Sequence, residues 1–145
     1  MKVLETYESE KLATHAETEN TLRFPCGLLG FEPNKEYVLK SNPDQAPFLW
    51  LHMIDEPKIS FLVMSPFFAM PTYQPDLRNE DVAFLGLESE HDAMIFNIVT
   101  VASLRATVNL KGPIVVNRRT RRGKQVIPVN AANYDVNFPL TVATT

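Results

Sequence analysis

The run Ala93–Val101, AMIFNIVTV, decides the fold class of this chain. Successive side chains of an extended strand point to opposite faces, and in this run both faces are mostly apolar. The stretch Pro47–Ile54, PFLWLHMI, has the same property. Strands that are apolar on both faces are usually covered on both faces, so we expect these two runs to be central strands.

Outward from these runs, the rest of the chain also favours short strands. Eleven prolines and only five glycines separate short apolar stretches, which argues against long helices. The sequence therefore predicts an all-β fold, a small single-domain pseudo-barrel or sandwich of short antiparallel strands. The predicted strands are Val3–Tyr7, Leu22–Phe24, Glu36–Leu39, Phe48–Met53, Ile59–Met64, Ala93–Val101, Arg105–Leu110, Pro113–Asn117 and Lys124–Val129.

One short helix is predicted within residues 78–86, RNEDVAFLG. Asn79 can cap its first turn, and Glu80 and Asp81 complement the positive end of the helix dipole. Gly86 can end the helix because glycine adopts the left-handed conformation that helix ends often need. We expect one or two helical turns here and nothing longer elsewhere.

Length and composition predict one domain over residues 1–145. The chain has 145 residues, of which 45% are hydrophobic and 21% are charged, as in one compact domain. The longest uncharged stretch, Ile59–Pro75, is broken by prolines and is too short to cross a bilayer. The first residues, MKVLETYESE, carry acids where a signal peptide would carry an apolar run, so we expect a cytoplasmic protein without membrane contact.

The sequence contains no recognisable catalytic, cofactor-binding or metal-binding motif. His15, His52 and His91 match no metal-ligand spacing, and no base lies near the single cysteine, Cys26, in the chain. The segment at 23–31, RFPCGLLGF, matches no phosphate-binding loop. We therefore predict a protein that is not an enzyme, with no cofactor and no metal, in which Cys26 serves packing.

Charge is unevenly distributed along the chain. The net charge is −3, but residues 1–92 hold 16 of the 17 acids, whereas residues 93–145 hold one acid and seven bases. The two parts therefore carry −9 and +6. Such asymmetry points to interaction surfaces rather than to a fold.

Five cations lie within seven residues, between two apolar strands: Arg118, Arg119, Arg121, Arg122 and Lys124. This position suits the tip of a hairpin. Guanidinium groups on a projecting loop can grip phosphates or a partner's carboxylates, or they can simply keep strand edges from aggregating. Without these five charges the chain carries −8 and would repel a phosphate backbone. A protein partner is therefore favoured, and a nucleic-acid-binding β-barrel that uses this basic loop is the alternative.

A second candidate surface is the proline-rich stretch at 64–75, MSPFFAMPTYQP, whose large side chains are Phe67, Phe68, Met70 and Tyr73. Prolines stiffen the loop, so these side chains can form a docking surface that loses little freedom on binding. The alternative is that the rings fold back and close one end of the barrel. We favour that alternative for at least two of the rings, because monomers rarely expose large apolar patches.

Several segments, in order, resemble the FliW family of bacterial flagellar assembly factors: FPCGLLGFE, PFLWL, ISFLVMSPFFAMPTY, NIVTV, TVNLKGPIVVN and RRGKQVIPV. The resemblance extends from about Leu22 to Leu140. The chain departs from the family pattern at Leu29, where proline is usual, and at Ser65, where aspartate is usual. It also has Leu51–Met53, LHM, where the family often has LQS.

The resemblance implies a non-enzymatic β pseudo-barrel that binds newly made flagellin and, alternatively, the RNA-binding translational regulator CsrA. Secretion of flagellin would free the protein to capture CsrA and lift repression of flagellin translation. Acids that could meet the basic surface of CsrA are Glu80, Asp81, Glu88 and Glu90. The aromatic stretch is the predicted flagellin contact. The predicted partner-binding residues are thus Phe67, Phe68, Met70, Tyr73, Glu80, Asp81, Arg118, Arg119, Arg121 and Arg122, in a protein expected to be a monomer when free.

Overall fold

The computed structural model describes residues 1–3, 21–56 and 59–140. Its strands, in chain order, are β1 Thr21–Arg23, β2 Glu36–Ser41, β3 Phe48–Met53, β4 Ser60–Met64, β5 Ala93–Ala102, β6 Arg105–Val108, β7 Ile114–Asn117, β8 Gly123–Gln125 and β9 Phe138–Pro139. The two short helices are α1 Pro66–Ala69 and α2 Asn79–Leu85. The predicted class, a small and mainly antiparallel β fold, is confirmed.

The strands form a sheet that curls into a barrel around the long strand β5. Strands β1 to β5 pair in chain order, and Ala93–Phe96 of β5 also pairs with β7, which in turn pairs with β8. The barrel closes where Arg23 of β1 forms a bridge with Arg122, and the Arg23 amide donates to the Arg121 carbonyl at 3.0 Å. The second half of β5, Val99–Ala102, pairs instead with β6, and β6 pairs with β9.

Two hydrophobic clusters lie on opposite faces of β5. One fills the barrel and includes Met94 and Phe96 of β5. The other lies between the outer face of the barrel and the helices, and it includes Ile95 and Val99. The prediction that β5 is covered on both faces is confirmed for its first half.

The barrel seam depends on a glycine at the start of β8. A Cβ atom on Gly123 would lie 2.4 Å from Cε1 of Phe24, the residue that follows β1. Phe24 is fully buried, and its ring packs edge-to-face on Tyr37 with 5.4 Å between ring centroids. The absence of a side chain at residue 123 therefore lets a large ring fill the barrel at its closure.

Two of the predicted strands end two or more residues earlier than predicted. Strand β6 ends at Val108 rather than continuing through Asn109 to Leu110, because the Asn109 side chain accepts hydrogen bonds from the amides of Lys111 (3.0 Å) and Gly112 (3.1 Å). Such side-chain to backbone bonds form a turn and end the extended conformation.

Strand β8 also differs from the predicted strand Lys124–Val129. It runs from Gly123 to Gln125, because the next residue, Val126, faces Pro113. The Val126 amide donates to the Pro113 carbonyl at 2.9 Å, but proline has no N–H to return a ladder bond. Of the first predicted strand, Val3–Tyr7, all but Val3 lies outside the described residues.

Helix α2 confirms the predicted short helix with one correction. Its end at Gly86 is confirmed, since Gly86 has φ +66° in the left-handed region. The N-cap, however, is Arg78, and Asn79 is already helical, so the predicted cap by Asn79 is wrong. Helix α1 lies in the stretch that its prolines predicted to be a stiff loop, and strand β9 was not predicted.

Candidate partner-binding surfaces

The aromatic stretch turns most of its large side chains inward. Phe67 and Tyr73 are buried and their ring centroids lie 6.0 Å apart, and Tyr73 packs edge-to-face on Tyr134 at 4.6 Å. The Tyr73 hydroxyl donates to the Leu110 carbonyl at 2.6 Å, and burial raises the pKa of Tyr73 far above its usual range. These rings fill the outer hydrophobic cluster.

This arrangement corrects the predicted contact residues of that stretch. A partner cannot reach Phe67 or Tyr73, because both serve the core. Phe68 is 54% exposed and Met70 is half-buried, so these two remain on the surface. The alternative that at least two of the rings fold back onto the barrel is therefore confirmed.

The predicted acidic residues of α2 behave differently from one another. Glu80 is exposed, whereas Asp81 is buried. The Asp81 carboxylate accepts a hydrogen bond from Nζ of Lys124 at 2.5 Å, and this bond raises the pKa of Lys124. The prediction that Asp81 meets a partner is corrected, since its charge already serves to join α2 to β8.

The basic turn, residues 118–122 between β7 and β8, confirms the predicted hairpin tip. It does not project freely, however. Arg119 reaches Asp92 at 3.4 Å and Glu88 at 3.8 Å, and the Arg122 guanidinium lies 4.2 Å from the centroid of the Phe84 ring on α2. Arg118 and Arg121 are half-buried, and Arg118 also donates to the Ala93 carbonyl at 3.4 Å. The expectation of a projecting loop is therefore corrected.

The acidic partner Asp92 is itself held in place by backbone amides. The amide of Glu88 donates to its carboxylate at 2.9 Å and that of Ser89 at 3.1 Å. The hydrogen bond from the Glu88 amide lowers the pKa of Asp92 most. The bond from Ser89 and the nearby Arg119 guanidinium lower it further. Asp92 therefore presents a fixed negative charge to the basic turn.

Asn117, at the end of β7, organises the basic turn and was missed in the sequence analysis. Its Oδ1 accepts from the amides of Arg119 (2.9 Å) and Thr120 (3.3 Å), while its Nδ2 donates to the Leu85 carbonyl at 2.8 Å. One buried side chain thus shapes the turn and ties it to the end of α2. The available signal was an asparagine at the end of an apolar strand, a common start for a turn.

The β5–β6 hairpin was also missed as a surface feature. Its two turn residues, Ser103 and Leu104, both have positive φ, at 46° and 69°. Leu104 is fully exposed, and Val101 is 65% exposed. A two-residue turn of this kind usually contains Asn-Gly, so Ser-Leu between two strands was the signal that could have drawn attention to it.

Other candidate groups form no recognisable site. A cleft of about 290 Å³ beside β3 is lined by Asp44, Gln45, Ala46, Phe48, Trp50 and Leu62, and its volume lies just below the range of about 300–1,000 Å³ usual for small-molecule pockets. Cys26 is exposed, so the prediction that it serves packing is wrong. His91 is also exposed, the His52 ring stacks beside Trp50, and His15 lies outside the described residues. The described part of the chain has no cluster of three or more potential metal ligands. None of its helices is long and apolar enough to span a membrane.

These observations define a small β-barrel protein with a mixed-charge surface around α2 and an exposed apolar hairpin. Residues 5–140 match the model of the FliW protein family. The chain is 39% identical over 114 residues to the flagellar assembly factor FliW of Leptospira biflexa, covering 77% of this chain and 74% of that protein. It is 37% identical over 144 residues to the flagellar assembly factor FliW of Geobacillus kaustophilus, covering 92% of this chain and 99% of that one.

The solved structures agree with these relatives. A crystal structure of the flagellar assembly factor FliW superposes with a TM-score of 0.77 and 32% sequence identity, covering all of both chains. The chain therefore belongs to the FliW family of flagellar assembly factors, as its sequence resemblance implied.

Proposed function

We propose that this FliW-family protein acts in the cytoplasm, without enzymatic activity, by exchanging two protein partners. It binds newly made flagellin, and when flagellin has been secreted it binds the translational regulator CsrA instead and relieves repression of flagellin translation. The observation that carries this proposal is the family match over residues 5–140, nearly the whole chain.

The surface around α2 supports the CsrA half of the proposal. Glu80 and Glu88 are exposed, and Glu90 is half-buried in the turn that follows α2. An RNA-binding regulator needs a basic surface, so these acids can steer it toward this end of the barrel. Asp81 contributes no free charge, because Lys124 neutralises it.

The packing of the basic turn weighs against the nucleic-acid alternative. Arg119 pairs with acids, Arg122 covers Phe84, and Lys124 pairs with Asp81. Phosphates would have to compete with these intramolecular partners and would meet Glu88 and Asp92 beside them. The geometry therefore favours a protein partner.

Binding of the purified protein to its own flagellin and its own CsrA tests the proposal. We expect micromolar or tighter binding to each, unaffected by nuclease, and displacement of labelled CsrA by added flagellin. Glu80→Lys with Glu88→Lys should slow association with CsrA most at low salt, whereas Glu56→Lys, in the β3–β4 loop, is the matched control. The proposal fails if the protein binds neither partner, or if both bind together without weakening each other.

A further inference from the structure

Arg119 connects the basic turn to the acids that follow α2. Its guanidinium lies 3.4 Å from Oδ1 of Asp92 and 3.8 Å from Oε2 of Glu88, and it also donates to the Gly86 carbonyl at 3.5 Å. One cation therefore contacts two acids and the end of the helix. The charge of Glu88, which belongs to the surface proposed for a basic partner, is thereby offset from within the chain.

The backbone holds both sides of this contact in place. The Arg119 amide donates to Oδ1 of Asn117 at 2.9 Å, which fixes the start of the arginine side chain in the turn. The Asp92 carboxylate accepts from the amides of Glu88 and Ser89, which keeps it beside the turn. The fold therefore places the Arg119 charge against these acids.

The contact is also open to water and to a partner. The Arg119 side chain is 51% exposed and that of Glu88 is 81% exposed. Ion pairs this exposed contribute little to stability, because water screens the charges and two long side chains must be ordered. A partner's cation can therefore replace Arg119 beside Glu88 without loss of the fold.

Two other cations beside α2 have different contacts. Lys124 pairs with the buried Asp81 carboxylate. The Arg122 guanidinium lies over the Phe84 ring, 4.2 Å from its centroid. Arg119 differs from both, because its partners include an exposed acid of the surface proposed to receive CsrA.

We propose that Arg119 limits the rate at which this protein captures a basic partner, because it holds a positive charge against Glu88 and Asp92 until the partner's own cation replaces it. This inference rests on the proposed function, in which that partner is CsrA. Surface charge acts mainly on the rate of encounter between two proteins. The effect of Arg119 is therefore on association rather than on dissociation.

The experiment measures the association rate of the protein's own CsrA with wild type, Arg119→Gln, Arg119→Lys and Arg105→Gln, together with the Tm of each. Arg119→Gln removes the charge but keeps a polar side chain, whereas Arg119→Lys keeps the charge. Arg105→Gln is the matched control, because it removes the same charge at the far end of β5. Arg105 pairs with Ala102, which lies about 30 Å along the strand from Ala93 at roughly 3.3 Å per residue.

We expect Arg119→Gln to raise the association rate about two- to threefold at about 0.1 M salt, where charges interact over about 10 Å. This effect should disappear at about 1 M salt, where the interaction reaches only about 3 Å. Arg119→Lys and Arg105→Gln should stay within about 1.5-fold of wild type. The Tm should be the same for all four proteins, because the contact is exposed.

Three results would overturn the inference. Unchanged or slower association of Arg119→Gln would show that Arg119 does not oppose capture. An equal rise for Arg105→Gln would assign the effect to net charge rather than to the contact with the acids. Faster association together with a clearly lower Tm would assign it to a loosened turn. A wild-type protein that does not bind CsrA would refute the proposed function as well, whereas normal wild-type binding with an unchanged Arg119→Gln would refute the inference alone.

Discussion

Removal of one partner of the ion pair between Asp81 and Lys124 is expected to cost much stability, because the pair is mostly shielded from water. The Asp81 side chain is 5% exposed and that of Lys124 is 30% exposed, with 2.5 Å between Oδ1 and Nζ. Lys124→Met would leave the Asp81 carboxylate buried without its cation. Removing one partner of a buried pair costs about 3–5 kcal/mol, and we expect about 3 kcal/mol here because water can partly reach the site of Lys124.

Urea unfolding, followed through the fluorescence of Trp50, measures this cost. A loss of about 3 kcal/mol in a chain of this size corresponds to a Tm lower by roughly 10 °C. The double variant Asp81→Asn with Lys124→Met should recover most of the loss, since it leaves no unpaired charge in the interior. The reasoning is refuted if Lys124→Met unfolds within about 0.5 kcal/mol of wild type, or if the double variant is no more stable than the single one.

The same pair predicts a dependence of stability on alkaline pH. The hydrogen bond to Asp81 raises the pKa of Lys124 above its unfolded value, which is about 10.4 for lysine. The stability from this shift is therefore fully present below that value and is lost as pH rises through the higher pKa of the folded state. Wild type and Lys124→Met should accordingly differ more at pH 8 than at pH 12, and a constant difference would contradict this assignment.

Three further substitutions test the packing of the barrel and the basic turn. Tyr37→Phe should raise the free energy of unfolding by about 1 kcal/mol, because the buried Tyr37 hydroxyl has no hydrogen-bond partner in the described residues; an unchanged urea midpoint would contradict this. Gly123→Ala should cost about 2 kcal/mol or more, because its Cβ would lie 2.4 Å from Phe24, and a Tm equal to wild type would contradict that contact. Asn117→Ala should cost about 2 kcal/mol by leaving the Leu85 carbonyl and the turn amides without partners, and should speed proteolysis between Arg118 and Arg122.

Strand positions were predictable because the alternation of side chains along a strand is a local property. The run AMIFNIVTV is apolar on both faces in the sequence, and β5 places Met94 in the barrel and Ile95 in the outer cluster. Strand ends were less predictable, because they depend on what lies opposite. Strand β8 ends where it faces Pro113, because proline has no N–H to donate to it, although Pro113 precedes β8 by ten residues.

Residue types at the candidate surfaces were predictable, but their accessibility was not. The sequence places Phe67 and Phe68 side by side, and only the packing of α1 buries the first and exposes the second. The basic turn was predictable as a hairpin tip from its cations between two apolar strands. The pairing of the neighbouring cation Lys124 was not predictable, because Asp81 lies 43 residues from Lys124 and reaches it only when α2 packs beside β8.

The sequence by itself therefore determined the β class, the hairpin that carries the cations, the short helix that ends at Gly86 and the resemblance to FliW. These properties depend on short patterns or on the order of motifs along the chain. The tertiary structure alone decided that the barrel closes between Arg23 and Arg122, that two clusters share β5, and that Leu104 is exposed in the β5–β6 turn. Burial and charge pairing are decided by residues far apart in the chain, and they follow only once the strands have met.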